Sequence, residues 1–166
     1  MNRLSATLGT ALFLLLAPGT VAGLAPWWIS NWEMHEMPSG FVLVRVFGLA
    51  LIVAGVGVVL EAFARFAIEG LGTPAPVLPT QRLVIKGTYR FVRNPMYVAV
   101  TSIIFGQAAL LGDARLAFYG VVVWLCMHIF VLAYEEPTLR RTFGAEYESY
   151  CTKVGRWIPH WSARSR

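Results

Sequence analysis

The sequence predicts an all-α, polytopic membrane protein with about four transmembrane helices, a C-terminal helical hairpin and an amphipathic cytoplasmic tail helix. Three observations carry that expectation. The 166 residues are 57% hydrophobic and 14% charged, whereas soluble domains carry about 25% charged residues. The charges are also gathered between long apolar runs, as in a chain that crosses a bilayer several times. Lipid, finally, admits only backbones that satisfy their own hydrogen bonds, and runs of this length do so as helices.

The elements follow in order. The first apolar run extends from about Leu4 to Trp28 and the second from Phe41 to about Phe66; together they make residues 1–70 a pair of N-terminal transmembrane helices. Arg3, the apolar run after it and the small residues around Ala22 also have the pattern of a secretory signal. Uninterrupted apolarity as far as Trp28 favours a retained helix. A third run begins at Pro95 and ends near Leu111, and a fourth covers Leu116 to Tyr134. Roughly 20 helical residues cross the hydrocarbon core, so the third is the shortest candidate. Only Gly112-Asp113-Ala114-Arg115 separates the two, which makes them an antiparallel hairpin.

Between the second and third runs, "GLGTPAPVLPTQ" contains Pro74, Pro76 and Pro79 and reads as extended chain. After Tyr134, the residues Leu139, Phe143, Tyr147, Tyr150 and Val154 recur every three or four positions. That spacing predicts one amphipathic helix along the membrane surface, bent away from the fourth span at Pro137. Lysine and arginine placement sets the expected orientation. Arg3, the stretch Arg65 to Arg93 and the tail from Arg140 share one side, with Arg45 and Arg115 opposite. By the positive-inside rule both termini are cytoplasmic, and Trp27, Trp28 and Trp32 form an aromatic belt at the outer interface. The whole of residues 1–166 then reads as a single membrane domain.

Composition also narrows function. The net charge of +5 is distributed as topology requires, with no basic stripe for nucleic acid. Cys126 and Cys151 lack CxxC spacing, His35, His128 and His160 lack metal-ligand spacing, and there is no Walker loop. The bilayer itself is the expected partner.

The residues that could carry chemistry meet at the cytoplasmic end of the hairpin. Arg93 and Asn94 stand at the entrance of the third span, and Glu135 and Glu136 at the exit of the fourth. Paired carboxylates beside an arginine at a bilayer edge are costly unless they are paired or lie in a solvated cavity. Arg93, Tyr97 and Thr101 are spaced by four and His128 and Glu135 by seven, so the facing sides of the hairpin are expected to form an inward polar seam. The plain alternative is that the arginines snorkel to headgroups and the acids bridge them.

"GTYRFVRNPMYV", from Gly87, resembles the G-x-Y-x-x-x-R-[H/N]-P-x-Y signature of isoprenylcysteine carboxyl methyltransferases and their phospholipid methyltransferase relatives. A second signature, E-E-x-x-L followed by F-G-x-x-Y-x-x-Y, is matched by Glu135, Glu136, Leu139, Phe143, Gly144, Tyr147 and Tyr150, and "GRWIP" is similar to the family's closing Arg-x-x-Pro. The resemblance implies an integral membrane methyltransferase that uses S-adenosylmethionine and has a lipophilic or small-molecule methyl acceptor as its partner, with residues 87–159 as its cofactor-binding region. Position by position it implies Tyr89, Arg93, Asn94, Pro95, Tyr97, Glu135 and Glu136 as cofactor-binding, and Gly87 as the turn into the motif. Isoprenylcysteine enzymes usually have His where this chain has Asn94. Arg93 is the candidate for orienting an anionic acceptor (a carboxylate or thiol; an amine is the other class), and Glu136 for the electrostatics beside it. Two other classes stay open: a steroid-reductase-like membrane enzyme using NADPH, and a non-catalytic membrane subunit in which Arg93, Glu135 and Glu136 clamp the hairpin.

Overall fold

The computed structural model describes residues 13–14, 16–36, 38–65 and 83–159, and every regular element among them is helical. The proline-rich stretch and the start of the first apolar run lie outside the described residues. Along the first run, helical chain from Phe13 passes through a π-helical turn, Thr20–Leu24, into α1 (Ala25–Ser30). The remaining elements are α2 (Val42–Arg65), α3 (Pro95–Leu111), α4 (Ala114–Phe130), a second π-helical turn (Val131–Glu135), α5 (Glu136–Phe143) and α6 (Ala145–Lys153).

Two helical stretches, Val42–Arg65 and Ala114–Phe143, are long and apolar enough to span a bilayer. Only 17% of the most apolar stretch of α2 is buried. Leu43, Phe47, Val53 and Leu60 point outward from it, an apolar surface that suits lipid and not water. α3 has 17 residues, or about 25 Å of helix, and is short for a full span. It is the central element, with most of its length buried between α2, α4 and the first run.

α2 and α3 touch at the backbone. A Cβ built on Gly48 would lie 2.7 Å from the Gly106 carbonyl, and one on Gly106 would lie 2.7 Å from the Gly48 carbonyl. Gly55 meets Ala99 and Ile103 in the same way. Close approach of this kind replaces the missing hydrophobic drive between helices in lipid with dispersion contact. Gly112 caps α3 and the Asp113 side chain accepts the Arg115 amide to start α4, which gives the tight hairpin turn that the sequence predicts.

The first run is fastened to this hairpin by side chains that reach its π turn. Gln107 Nε2 donates to the Ala22 carbonyl at 2.8 Å, and the Tyr119 hydroxyl donates to the Val21 carbonyl at 2.9 Å.

The chain beyond Tyr134 departs from expectation. No bend separates Pro137 from the fourth run, because the π turn Val131–Glu135 absorbs the missing amide and places Pro137 in the first turn of α5, where no amide is needed. The break comes at Gly144, with φ 50° and ψ −123°, a conformation that an L side chain resists. The expected single tail helix is therefore two short ones. Tyr147, Tyr150 and Val154 are buried together, with Leu83, Leu139 and Phe143 packed against them.

Candidate active site at the cytoplasmic end of the hairpin

A one-turn 3-10 segment, Gly87–Arg90, leads into the site. Gly87 has φ 62°, and a Cβ there would run into the Glu61 carboxylate, which accepts hydrogen bonds from Thr88 Oγ1 at 2.7 Å and Arg65 Nε at 2.8 Å. This latch ties the end of α2 to the motif and explains why the motif starts with glycine. Tyr89 follows, buried, and its carbonyl accepts the Tyr150 hydroxyl at 2.5 Å. Burial raises the Tyr89 phenol well above the usual tyrosine range, helped by the negative Glu135. Pro95 opens α3 at a position whose amide would go unused.

The end of the chain folds back as a strap across these residues. Val92 and Gly155 form an isolated parallel bridge, with the Arg93 amide donating to the Gly155 carbonyl at 2.8 Å. Asn94 Nδ2 donates to the Arg156 carbonyl at 3.2 Å, so this buried amide fixes the strap. Arg156 reaches Glu136 through two bonds, Nε to Oε1 at 2.6 Å and Nη2 to Oε2 at 2.9 Å. Trp157 Nε1 donates to His128 Nδ1 at 3.1 Å.

Glu136 is 5% exposed and shared by two guanidinium groups. Arg93 Nη1 approaches its Oε1 at 3.1 Å and also contacts the Tyr147 hydroxyl at 3.2 Å and Cys151 Sγ at 2.7 Å. Arg93 Nε is buried without a hydrogen-bond partner. Glu135 differs from its neighbour: Tyr97 donates its hydroxyl to Oε2 at 2.7 Å, and among the described residues no lysine or arginine pairs with it.

Arg93 and Glu135 both line a cavity of about 220 Å³. Tyr89, Asn94 and Tyr97 complete its polar lining, and its apolar lining includes Phe13, Ala17, Pro18 and Val21 of the first run together with Val100 and Met127. The structure thus gathers six of the seven residues that the resemblance implies around one cavity or clamp, with Pro95 opening the helix that carries Tyr97. The longer polar seam does not form. Thr101 Oγ1 bonds to the Tyr97 and Val98 carbonyls of its own helix, and His128 turns to Trp157 and stacks on Trp124. The π turn between His128 and Glu135 changes the helical register, so seven positions no longer share a face. Arg90 is exposed over the Phe91 ring, 4.6 Å away, outside the site. The sequence marks Tyr147 as part of the second signature and of the tail's apolar face, not as an Arg93 contact; it gives Cys151 no role, and the closing "GRWIP" is the signal available for Arg156.

A model of the phospholipid methyltransferase family matches residues 43–146. The chain belongs to this family. The match spans α2, the whole hairpin and α5, and so covers every implied site residue from Tyr89 to Glu136. Among curated relatives, protein-S-isoprenylcysteine O-methyltransferase B of Arabidopsis thaliana is 28% identical over 142 residues, which cover 80% of this chain and 60% of the plant protein. An uncharacterized protein of Haemophilus influenzae is 38% identical over 64 residues, or 38% of this chain and the whole of that protein. With these relatives and its two apolar, lipid-suited helices, the protein is a membrane protein of a methyltransferase family.

Proposed function

We propose that the protein is a multi-pass membrane methyltransferase, both termini cytoplasmic, that uses S-adenosylmethionine to methylate an acceptor reaching it from the lipid phase. The observation that carries this is that one largely apolar cavity is lined both by Glu135, which has no counter-ion among the described residues, and by Arg93, whose Nε has no hydrogen-bond partner among them. The residues present fit that cofactor. Its cationic groups match Glu135, and its carboxylate, or that of an acceptor, matches Arg93. S-adenosylmethionine supplies, when bound, a methyl carbon on a positively charged sulfur.

What the chain contributes is orientation and field. Tyr97 holds the Glu135 carboxylate toward the cavity, where a cation offsets the cost of burying it. Arg93 orients an anionic group in the same cavity. An anionic acceptor so oriented would receive the methyl of S-adenosylmethionine bound there, the new acceptor–carbon bond being balanced by loss of the sulfur–carbon bond as opposite charges cancel. A water-poor site does not penalise a transition state in which charge is disappearing. A carboxylate or thiolate acceptor requires no general base. The apolar wall accommodates the lipid-soluble part of the acceptor, delivered laterally from the bilayer. Glu136, held by two arginines, belongs to the scaffold of the site more than to its chemistry.

The test is transfer of labelled methyl from S-adenosylmethionine by purified protein, offered a prenylated cysteine, an amine-headgroup phospholipid and a water-soluble thiol in parallel. Label in a lipid-soluble acceptor, absent in Glu135→Gln, supports the proposal. Label only in the soluble thiol would overturn the lipid-phase part, and label in none would overturn the whole.

A further inference from the structure

Arg93 and Arg156 compete for one carboxylate, and Arg156 holds the better position. A carboxylate accepts one fork-to-fork pair with a guanidinium, and Arg156 occupies it with contacts of 2.6 and 2.9 Å to the two oxygens of Glu136. Arg93 is left with a single contact at 3.1 Å through Nη1. Its Nε is buried and unpartnered, its side chain is 10% exposed, and the residue lines the cavity. Two guanidinium cations against one carboxylate leave this trio one positive charge in excess.

We infer that Arg156 is a positioning residue: by saturating Glu136 it prevents Arg93 from closing into a two-point pair and keeps Arg93 available for the carboxylate of a bound ligand. The other strap contacts serve the same end. The Gly155 carbonyl holds the Arg93 amide at 2.8 Å, and Asn94 holds the Arg156 carbonyl at 3.2 Å, so the backbones of both arginines are fixed while their side chains share Glu136. Tyr147 and Cys151 take up Arg93 Nη1 from the other side. Without Arg156, a two-point pair with Glu136 becomes the lowest-energy arrangement of Arg93, and the cavity loses its anion partner.

This inference rests on the proposed cofactor, which also provides the probe. S-adenosylhomocysteine carries a carboxylate, whereas 5′-methylthioadenosine has the same adenosyl thioether without the amino-acid end. Calorimetry with both nucleosides on wild type, Arg156→Ala and Arg156→Lys, each checked by its melting curve, separates positioning from general damage. If Arg93 reads the cofactor carboxylate, Arg156→Ala loses about tenfold or more in S-adenosylhomocysteine affinity while 5′-methylthioadenosine binding is unchanged. If it reads the acceptor's carboxylate, both nucleosides bind as before and KM for a carboxylate acceptor rises about tenfold with kcat held. Arg156→Lys, which cannot form the fork, falls with Arg156→Ala in either case. A folded Arg156→Ala that changes neither quantity, or that weakens both nucleosides equally, overturns the inference. Wild type that binds neither nucleoside overturns the cofactor assignment and this inference with it.

Discussion

Glu136 and Arg156, twenty positions apart, form a two-point ion pair at 2.6 and 2.9 Å across the break at Gly144. The pair ties the end of the chain to the end of the membrane helix, and Arg93 joins it from α3 through its single 3.1 Å contact. Glu135, one residue earlier, is met by the Tyr97 hydroxyl and, among the described residues, by no lysine or arginine. Two adjacent carboxylates therefore do different work, one in holding the fold and one in facing the cavity.

That division predicts opposite effects of the same chemical change. Glu136→Gln leaves the largely buried Arg93 and the half-buried Arg156 without their shared anion; breaking a buried pair costs about 3–5 kcal/mol, and melting in detergent should show a large loss. Glu135→Gln removes an uncompensated buried charge, so its melting temperature should hold or rise while affinity for a cationic ligand falls about tenfold or more. A common response of the two variants would contradict the division.

Tyr97→Phe removes the hydroxyl that orients Glu135. A hydrogen bond to a charged group contributes about 1.5–3 kcal/mol, and the loss should appear mainly in turnover and cofactor affinity. The measurement is methyl-transfer kinetics beside a melting curve; an unchanged kcat/KM would show that Tyr97 does not orient Glu135.

Gly106→Ala forces a methyl into the Gly48 carbonyl, 2.7 Å away. Overpacking typically costs about 1–3 kcal/mol, and backbone on the opposing side cannot move as a side chain would. Gly57, with nothing within 4 Å of its Cβ position, should accept alanine without loss. Paired unfolding measurements on the two variants check this.

Alkaline pH offers a separate test. Burial raises the Tyr89, Tyr147 and Tyr150 phenols above the usual tyrosine range, with Glu135 adding to the effect at Tyr89 and Glu136 at Tyr147. In the unfolded chain these groups ionise near about pH 10. A folded value above the unfolded one means that their contribution to stability is complete below about pH 10 and is lost as pH rises beyond it. Phenolate absorbance should therefore lag in these three tyrosines, and melting temperature should fall above that pH. Substituting each by phenylalanine identifies its share of the lag.

Periodicity and apolar length made the helical class legible, and the hairpin was readable because Gly112 and Asp113 supply a helix stop and start in adjacent positions. The meeting of Arg93 with Glu136 and of Tyr97 with Glu135 followed from antiparallel geometry together with the motif spacing. Other features had no local signature. Gly48 and Gly55 make the α2–α3 contact, while Ala50 and Ala54 on the same helix face outward, and composition alone does not tell these small residues apart. The π turn after Phe130 is one extra residue of register, invisible to a 3.6-residue pattern, and it takes His128 and Glu135 off a common face. Arg156 could not be placed because a pair across twenty residues depends on the break at Gly144 and on the strap bridging Val92, both properties of the folded chain.

The measurement closest to the central claim is binding of S-adenosylmethionine by calorimetry to wild type, Arg93→Ala and Glu135→Gln in mild detergent, with NADPH as comparator and melting curves for each protein. Micromolar binding to wild type, lost in both variants while they remain folded, with no response to NADPH, is the expected result. Well-folded wild type that ignores S-adenosylmethionine, or that binds NADPH in its place, would contradict the cofactor site proposed at the mouth of the hairpin.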